Sequence, residues 1–318
     1  MGETFCVSCL RRNNNRNNNR GNELTLRAFE ARHNVRQGVK FVAHVLILCL
    51  FRHEKQGQLL VKIFAAGAEY IYIRIMLESA QNDTFKKLLS LTSSKGLKEE
   101  GLFLLSGEKL IREFLKKPNL KIIGEITAPK QTPLVKDAKL VELSASLFDQ
   151  VDVLGTHFNI LVLEQPLIPV LTAEDMAAYT PNGIEVVAPT GDPGNLGALI
   201  RSCEAFSVRR VILSREAAHP FLPKAVKASA GSVLRVNLAR GPALADFPPS
   251  CIALDMDGVS INDFKWPSKA LLLLGEEGPG LDASRFHTRV RIPTTGVESL
   301  NAVVAASIAL SRLPEQKN

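Results

Sequence analysis

Long apolar runs are missing from this 318-residue chain. The longest, Phe41 to Phe51, spans eleven residues and contains His44, well short of the ~20 apolar residues a membrane-spanning helix needs. No membrane segment is therefore expected. Cysteine is scarce as well: five in 318 residues do not make a disulfide framework, and a reducing cytoplasm is the expected compartment. Cys203 and Cys251 lie in apolar settings and read as small core residues. Cys6-x-x-Cys9 has the spacing of half a zinc site, but no second pair follows, so no metal is expected.

Net charge is lacking where it would mean most. Residues 1 to 75 hold 12 Lys/Arg and 5 Asp/Glu, a balance of +7, whereas residues 76 to 318 hold 27 of each. The whole of the +7 thus comes from the N-terminal quarter and cannot by itself argue that the body binds nucleic acid. One local excess exists. Arg201, Arg209, Arg210, Arg215, Lys224, Lys227, Arg235 and Arg240 face only Glu204 and Glu216 between residues 195 and 240. Such a cluster either neutralises phosphates or is a solvated basic face.

The N-terminal quarter does not match the rest. Residues 11 to 22 read RRNNNRNNNRGN, a low-complexity tract that cannot bury a core. The region is Arg-rich with few acids, as targeting segments are, but Ser is scarce. A start at Met76 explains it better, with residues 1–78 an extension outside the folded body.

From residue 79 the pattern becomes regular. Phe85, Leu88, Leu89, Leu91 and Leu97 fit one amphipathic helix over 83–98. Leu102 to Leu105 reads as a buried strand, 109–117 as a helix ended by Pro118, 120–126 and 139–143 as strands, and 144–152 as a helix capped by Ser144. Ile160 to Leu163 closes a small α/β sandwich over 79–165. Pro166 and Pro169 mark a linker, 166–180. A second unit over 181–314 begins with the strand Ile184 to Ala188 and a Gly/Pro-rich turn, Pro189 to Gly194. Asn195 is placed to cap the helix that follows. Arg201 lies six residues on, about 240° around that helix, so the two share no face. Pairing of Arg201 with Glu204 is the plain structural alternative to a role in chemistry. Leu271 to Leu274 is wholly apolar and belongs in the centre of a sheet. Gly275 and Gly278 then let the backbone pass close to a ligand. Ser299 and Asn301 precede an apolar helical run, where capping is again the plain alternative. Ser229-Ala230-Gly231-Ser232 falls between a helix and an expected strand, Val233 to Val236.

Three of these pieces carry a resemblance. Asp192-Pro193-Gly194-Asn195-Leu196-Gly197-Ala198-Leu199-Ile200-Arg201, then Leu271 to Gly280, then Arg291-Ile292-Pro293-Thr294-Thr295-Gly296-Val297-Glu298-Ser299-Leu300-Asn301 resemble, in order, motifs 1, 2 and 3 of the SpoU/TrmH branch of the SPOUT RNA methyltransferases. Phe103-Leu104-Leu105-Ser106-Gly107-Glu108-Lys109-Leu110-Ile111 is similar to the opening of the L30e/L7Ae-like RNA-binding domain that precedes many SpoU domains. The resemblance implies an α/β SPOUT fold, a trefoil-knotted parallel sheet flanked by helices, and a homodimer. It implies transfer of a methyl group from S-adenosylmethionine to a ribose 2′-hydroxyl of RNA, with 23S-type rRNA favoured over tRNA. It implies catalytic roles for Arg201, Asn195, Glu277, Ser299 and Asn301, and cofactor contacts, largely through main chain, from Gly275, Ile292, Leu300 and Gly278. Arg is a poor base, since its pKa exceeds ~12; a fixed guanidinium stabilising charge on the 2′-oxygen is the better role for Arg201.

Two other classes remain. Gly191-x-x-Gly194-x-x-Gly197 lies near a dinucleotide fingerprint but lacks its spacing, and the next strand ends in Ser214-Arg215 rather than an acid. A non-catalytic RNA-binding protein that keeps the fold is the other reading.

Overall fold

A computed structural model describes residues 59–65 and 71–313, apart from 137, 276–281 and 298. The low-complexity tract, the Cys6–Cys9 pair and the expected extension up to residue 58 lie outside the described residues. The chain divides into two units, 1–82 and 83–318. In the first, β1 (Leu59–Ala65) and β2 (Ile71–Leu77) form an antiparallel hairpin in which Met76 stands opposite Leu60.

The second unit holds two sheets. The first is built from β3 (Leu102–Leu105), β4 (Ile122–Thr127), β5 (Lys139–Leu143) and β6 (Ile160–Glu164), in the order β5-β4-β6-β3. β4 and β5 run parallel; β6 is antiparallel to both β4 and β3. The single helix expected over 83–98 is two, α1 (Asp83–Ser90) and α2 (Ser94–Glu100). Ser93 breaks the run, because its side chain accepts from Gly96 N–H and starts a new helix. Leu91 and Leu97 are still fully buried. α3 (Glu108–Lys116) and α4 (Ala145–Val151) complete this half. Ser144 stands at the head of α4 without a side-chain capping bond.

The second sheet comprises β7 (Ile184–Ala188), β8 (Arg210–Leu213), β9 (Leu238–Arg240), β10 (Ile252–Ser260), β11 (Ala270–Leu273) and β12 (Thr288–Arg291). Its order is β12-β10-β11-β7-β8-β9 and every pairing is parallel. β7 and β11 are buried at all positions, as strands covered on both faces must be. Val187, Ile212, Ala239, Ala253, Leu271 and Leu273 pack with Phe247, Phe286 and Met176 into one core. Helices α6 (Pro193–Ala205), α7 (Pro223–Ala228) and α8 (Ala302–Leu310) flank the sheet.

Three expectations need revising. The segment 166–180 is not a plain linker. Leu171 N–H donates to Arg240 O and Arg240 N–H to Pro169 O, so the chain adds itself to the open edge of β9. It then forms α5 (Ala173–Ala177), closed by a Thr172/Asp175 capping box. The strand expected at 233–236 is instead a tight 3₁₀ turn, Ser232–Leu234, with the strand beginning at Leu238. The nine-residue β10 was not expected at all: its outer half carries Asp255, Asp257 and Gly258 and is largely exposed, so it lacks the apolar run of a central strand.

Candidate active site

β7 is the first strand of its sheet in the chain, and it has β8 on one side and β11 on the other. The direction of strand succession therefore reverses between β7 and β11. In open parallel sheets, ligands bind in the crevice outside the carboxyl ends of the strands at such a point. The loop 189–192 leaves β7 there, and Leu274-Gly275 leaves β11 there. β12 ends at Arg291, two strands from β11, or about 10 Å at the usual strand spacing. Ile292 to Asn301 thus leaves from the same edge. Sequence segments separated by up to about a hundred residues meet on one rim.

The helix that carries Arg201 is started by Asp192, not by Asn195. The Asp192 carboxylate accepts Asn195 N–H at 2.8 Å, and Pro193 takes the first helical position, where its missing N–H costs nothing. Asn195 falls in the first turn and is half-buried. Asp-Pro before an apolar helical run is itself a start signal, so this could have been read from the residues. Lys224 Nζ donates to the other Asp192 oxygen at 2.8 Å. That bond, followed by the one from Asn195 N–H, holds the Asp192 carboxyl below its ordinary range. From the same segment, Ala218 N–H donates to Thr190 O. Residues 218–224 therefore clasp the loop leaving β7 at two places. Gly197 lets α6 and α7 cross closely: a Cβ there would stand 2.3 Å from Ala225 O.

Arg201 is exposed on α6, with no hydrogen bond or ion pair to a described residue. Pairing with Glu204 does not occur. Arg235 grips Glu204 instead, Nε to Oε1 at 2.6 Å and a second nitrogen to Oε2 at 2.8 Å. This two-bond contact pulls the Glu204 carboxyl below its ordinary range and raises the Arg235 guanidinium. Four more members of the basic cluster are similarly committed. Lys224 meets Asp192, Arg215 reaches Asp246 at 4.0 Å, Arg210 donates to Tyr179 Oη, and Arg240 contacts His219. Among the described residues, Arg201, Arg209 and Lys227 remain exposed without an ion pair.

At the head of α8, Asn301 Oδ1 accepts Val303 N–H at 2.9 Å and Val304 N–H at 3.3 Å. The capping alternative therefore holds for Asn301, whose side chain is otherwise exposed. Ser299 is exposed and makes no cap. Ile292 and Leu300 are half-buried, as is Gly275. Glu277 and Gly278 lie outside the described residues. Ser202 and Ser307 share a hydroxyl contact at 2.8 Å, which ties α6 to α8 directly beside Arg201. Ser229 is fully buried and bonds within its own turn, donating to Val226 O; its role is structural. Among the described residues no cluster of His, Cys, Asp and Glu could hold a metal, and no helix is long and apolar enough to cross a membrane.

Comparison with known proteins decides the family. Residues 184–311 match the SpoU rRNA Methylase family. An uncharacterized tRNA/rRNA methyltransferase of Mycobacterium bovis is 30% identical over 223 residues, covering 59% of this chain and 76% of that protein. This chain belongs to the SpoU rRNA methylase family. Two further relatives match over 74% of the chain. One is the ribosomal RNA small subunit methyltransferase G 2 of Syntrophobacter fumaroxidans, 36% identical over 241 residues. The chain spans about half the length of that relative, 48% of it being covered. The other is a 23S rRNA guanosine 2′-O-methyltransferase of Bacillus subtilis, 27% identical with 98% covered. Among solved structures, the AdoMet-bound rRNA methyltransferase of Sinorhizobium meliloti superposes with a TM-score of 0.60 at 25% identity, over 74% of this chain and 96% of that one. The α/β fold with a parallel sheet is thus that of the SpoU methylases.

Proposed function

We propose that this SpoU methylase transfers the methyl group of S-adenosylmethionine to a ribose 2′-hydroxyl of RNA, with 23S-type rRNA as substrate. The observation that carries the reading is the meeting of all three motif loops at the carboxyl edge of one parallel sheet, on either side of its switch point. The names borne by the Bacillus subtilis relative and the Sinorhizobium meliloti structure support the reaction and the cofactor. Residues 181–314 are the catalytic domain, its sheet knotted as in SPOUT proteins. Residues 79–165 are an L30e-like RNA-binding domain, and 166–180 joins the two. The protein acts as a homodimer in the cytoplasm. The apolar face of α8 left outward by Val304 suits a subunit interface.

The residues at the rim fit the cofactor. The half-buried backbone at Gly275 and the half-buried side chains of Ile292 and Leu300 offer main-chain hydrogen bonds beside an apolar wall, which suits an adenine edge. Glu277 and Gly278, which follow Gly275 in the sequence, are assigned to the same site by the resemblance alone. When bound, S-adenosylmethionine supplies an electrophilic methyl group. Arg201 holds the nucleotide and stabilises the negative charge that grows on the 2′-oxygen as its proton passes to water. Its exposure, with no ion pair among the described residues, suits it to that contact. Asp192 sets the start of α6, and through it the depth of Asn195 and Arg201, within a site where small misplacements are costly. Asn301 fixes the head of α8, and Ser299 lines the loop before it.

The test is transfer of a radiolabelled methyl group from S-adenosylmethionine to ribosomal RNA, followed by mapping of 2′-O-methyl positions. Label in rRNA at a ribose is the expected outcome. Label in tRNA alone would move the substrate, and no heat of S-adenosylmethionine binding in calorimetry, together with no transfer, would favour a binding protein that keeps the fold.

A further inference from the structure

A cavity of about 420 Å³ lies between the half built on the first sheet and the half built on the second. Leu110, Phe114 and Leu234 form its apolar walls; Glu113, Lys117, Asn119 and Arg235 stand at its polar rim. Its size falls within the range of ligand sites, about 300–1,000 Å³. The two halves are locked at its edges. Asn119 Nδ2 donates to Leu234 O at 2.7 Å. Beside it, Gly231 approaches α3 so closely that a Cβ would stand 2.6 Å from Leu110 Cδ1.

Its position relative to α6 is informative. Arg235, on the rim, grips Glu204. Glu204 lies three residues beyond Arg201 and so shares its helix face, about one turn away. The cavity therefore adjoins the face that presents Arg201. On its other side, α3 and Lys117 supply Lys109, Arg112, Lys116 and Lys117 against Glu108 and Glu113, a balance of 4 − 2 = +2. Arg112 is paired with Glu108. Lys109, Lys116 and Lys117 are exposed and have no ion pair among the described residues.

We infer that this cavity is a subsite for one unpaired nucleotide of the RNA, next to the nucleotide held at Arg201. The inference rests on the reading of RNA as the substrate. Proteins that read single-stranded RNA splay bases out and bury them against apolar side chains, while cations follow the backbone. Here the base enters between Leu110, Phe114 and Leu234. Phe114 is 6% exposed, so it offers an edge inside a slot rather than an open stacking platform. The Asn119 amide and the Glu113 carboxylate face the base edge, and Lys117 takes the phosphate. The subsite is made jointly by both halves, so it selects RNA that spans them.

The probe is a short single-stranded RNA of mixed sequence carrying photoreactive 4-thiouridine, bound to the full chain. Cross-links are expected in the peptides containing residues 108–119 and 232–235. Leu234→Trp fills the slot; it should remove those cross-links and weaken binding about ten-fold, the scale of one lost base contact. Affinity for S-adenosylmethionine should stay within two-fold. Lys117→Glu, at an exposed position with no ion pair among the described residues, should weaken binding and make its salt dependence shallower by about one ion. Cross-links that map elsewhere, or unchanged RNA affinity in Lys117→Glu, would overturn the subsite. Seam cross-links in a chain that transfers no methyl group would uphold it and sink the catalytic reading instead.

Discussion

Glu125 in β4 and Glu185 in β7 are each 1% exposed, one in either sheet. Glu125 accepts the N–H groups of Leu134 and Val135 and the amide of Asn159, so it pins the loop after β4 from inside. Glu185 accepts Tyr179 Oη–H at 2.7 Å and Asn182 N–H at 3.0 Å, and Arg210 donates to the same phenol. Burial, then the bond to Glu185, pushes the Tyr179 hydroxyl up to about 12. Both carboxylates are wired to their own surroundings and neither reaches solvent. Arg201 and Ser299 differ: both are exposed, Arg201 on α6 and Ser299 on the loop that follows β12. A buried charge in this molecule therefore marks architecture, and the groups suited to chemistry are those the architecture leaves outside.

Four measurements sharpen or break that contrast. Arg201→Ala should lower methyl transfer about 100-fold or more, the scale seen when a charge-stabilising donor is removed, with the melting temperature unchanged. Arg201→Lys should recover only part, because a point charge does not reproduce the guanidinium fork. A loss of stability with normal turnover would reverse the contrast. Glu125→Ala should do the opposite. It orphans three donors and should cost on the order of 3 kcal/mol in denaturant unfolding, while transfer per folded molecule holds.

The third concerns acid. His219 is buried beside Arg240, whose guanidinium nitrogen lies 3.1 Å from Nε2. Burial first, then the charges of Arg240 and Lys98, push its pKa down to about 4. Below the ordinary value near 6.5 the unfolded chain takes up a proton that the folded chain refuses, so stability falls as pH drops from 6.5 towards 4. The slope is at most about 1.4 kcal/mol per pH unit. His219→Gln should flatten it, as urea midpoints at pH 7 and 5 would show. The Asp192 and Glu204 carboxyls, both held low, keep their contributions above the ordinary carboxylate range and begin to lose them as the pH enters it, so the comparison of pH 7 with pH 5 reads mainly His219. The smallest effect is expected from Asp192→Ala, about 1 kcal/mol for a lost helix cap. Turnover should drop with it, because Arg201 rides on that helix; an unaltered rate would separate the cap from the site.

Much of the second sheet was legible because β7, β8 and β11 are short, mainly apolar runs, β11 wholly so and β7 framed by Gly183 and Pro189. The motif segments were legible by resemblance, and the sheet order explains why they belong together. Three things were hidden for reasons that are physical. The partners of the basic cluster come from far along the chain, as with Arg235 and Glu204, so a count of nearby charges overstated its freedom. The 3₁₀ turn at Ser232–Leu234 follows Ala230 and Gly231, both at positive φ, a backbone path that overrides the strand preference of Val233 and Val236. β10 owes its outer half to pairing with β12 around a register shift between Leu254 and Val259. No local periodicity announces such a partner.

The place of β11 also bears on how the chain reaches its native state. β7, β8 and β9 lie side by side in the order they are synthesised, and β10 with β12 makes the far edge. Only the four residues Ala270–Leu273 join the two groups. The sheet cannot zip up in sequence; its middle is closed by a segment that emerges after both neighbours, which raises the mean separation of its contacts and slows folding. Until those leucines are seated, the crevice beside them has only one wall, so ligand binding should report completion of folding rather than precede it.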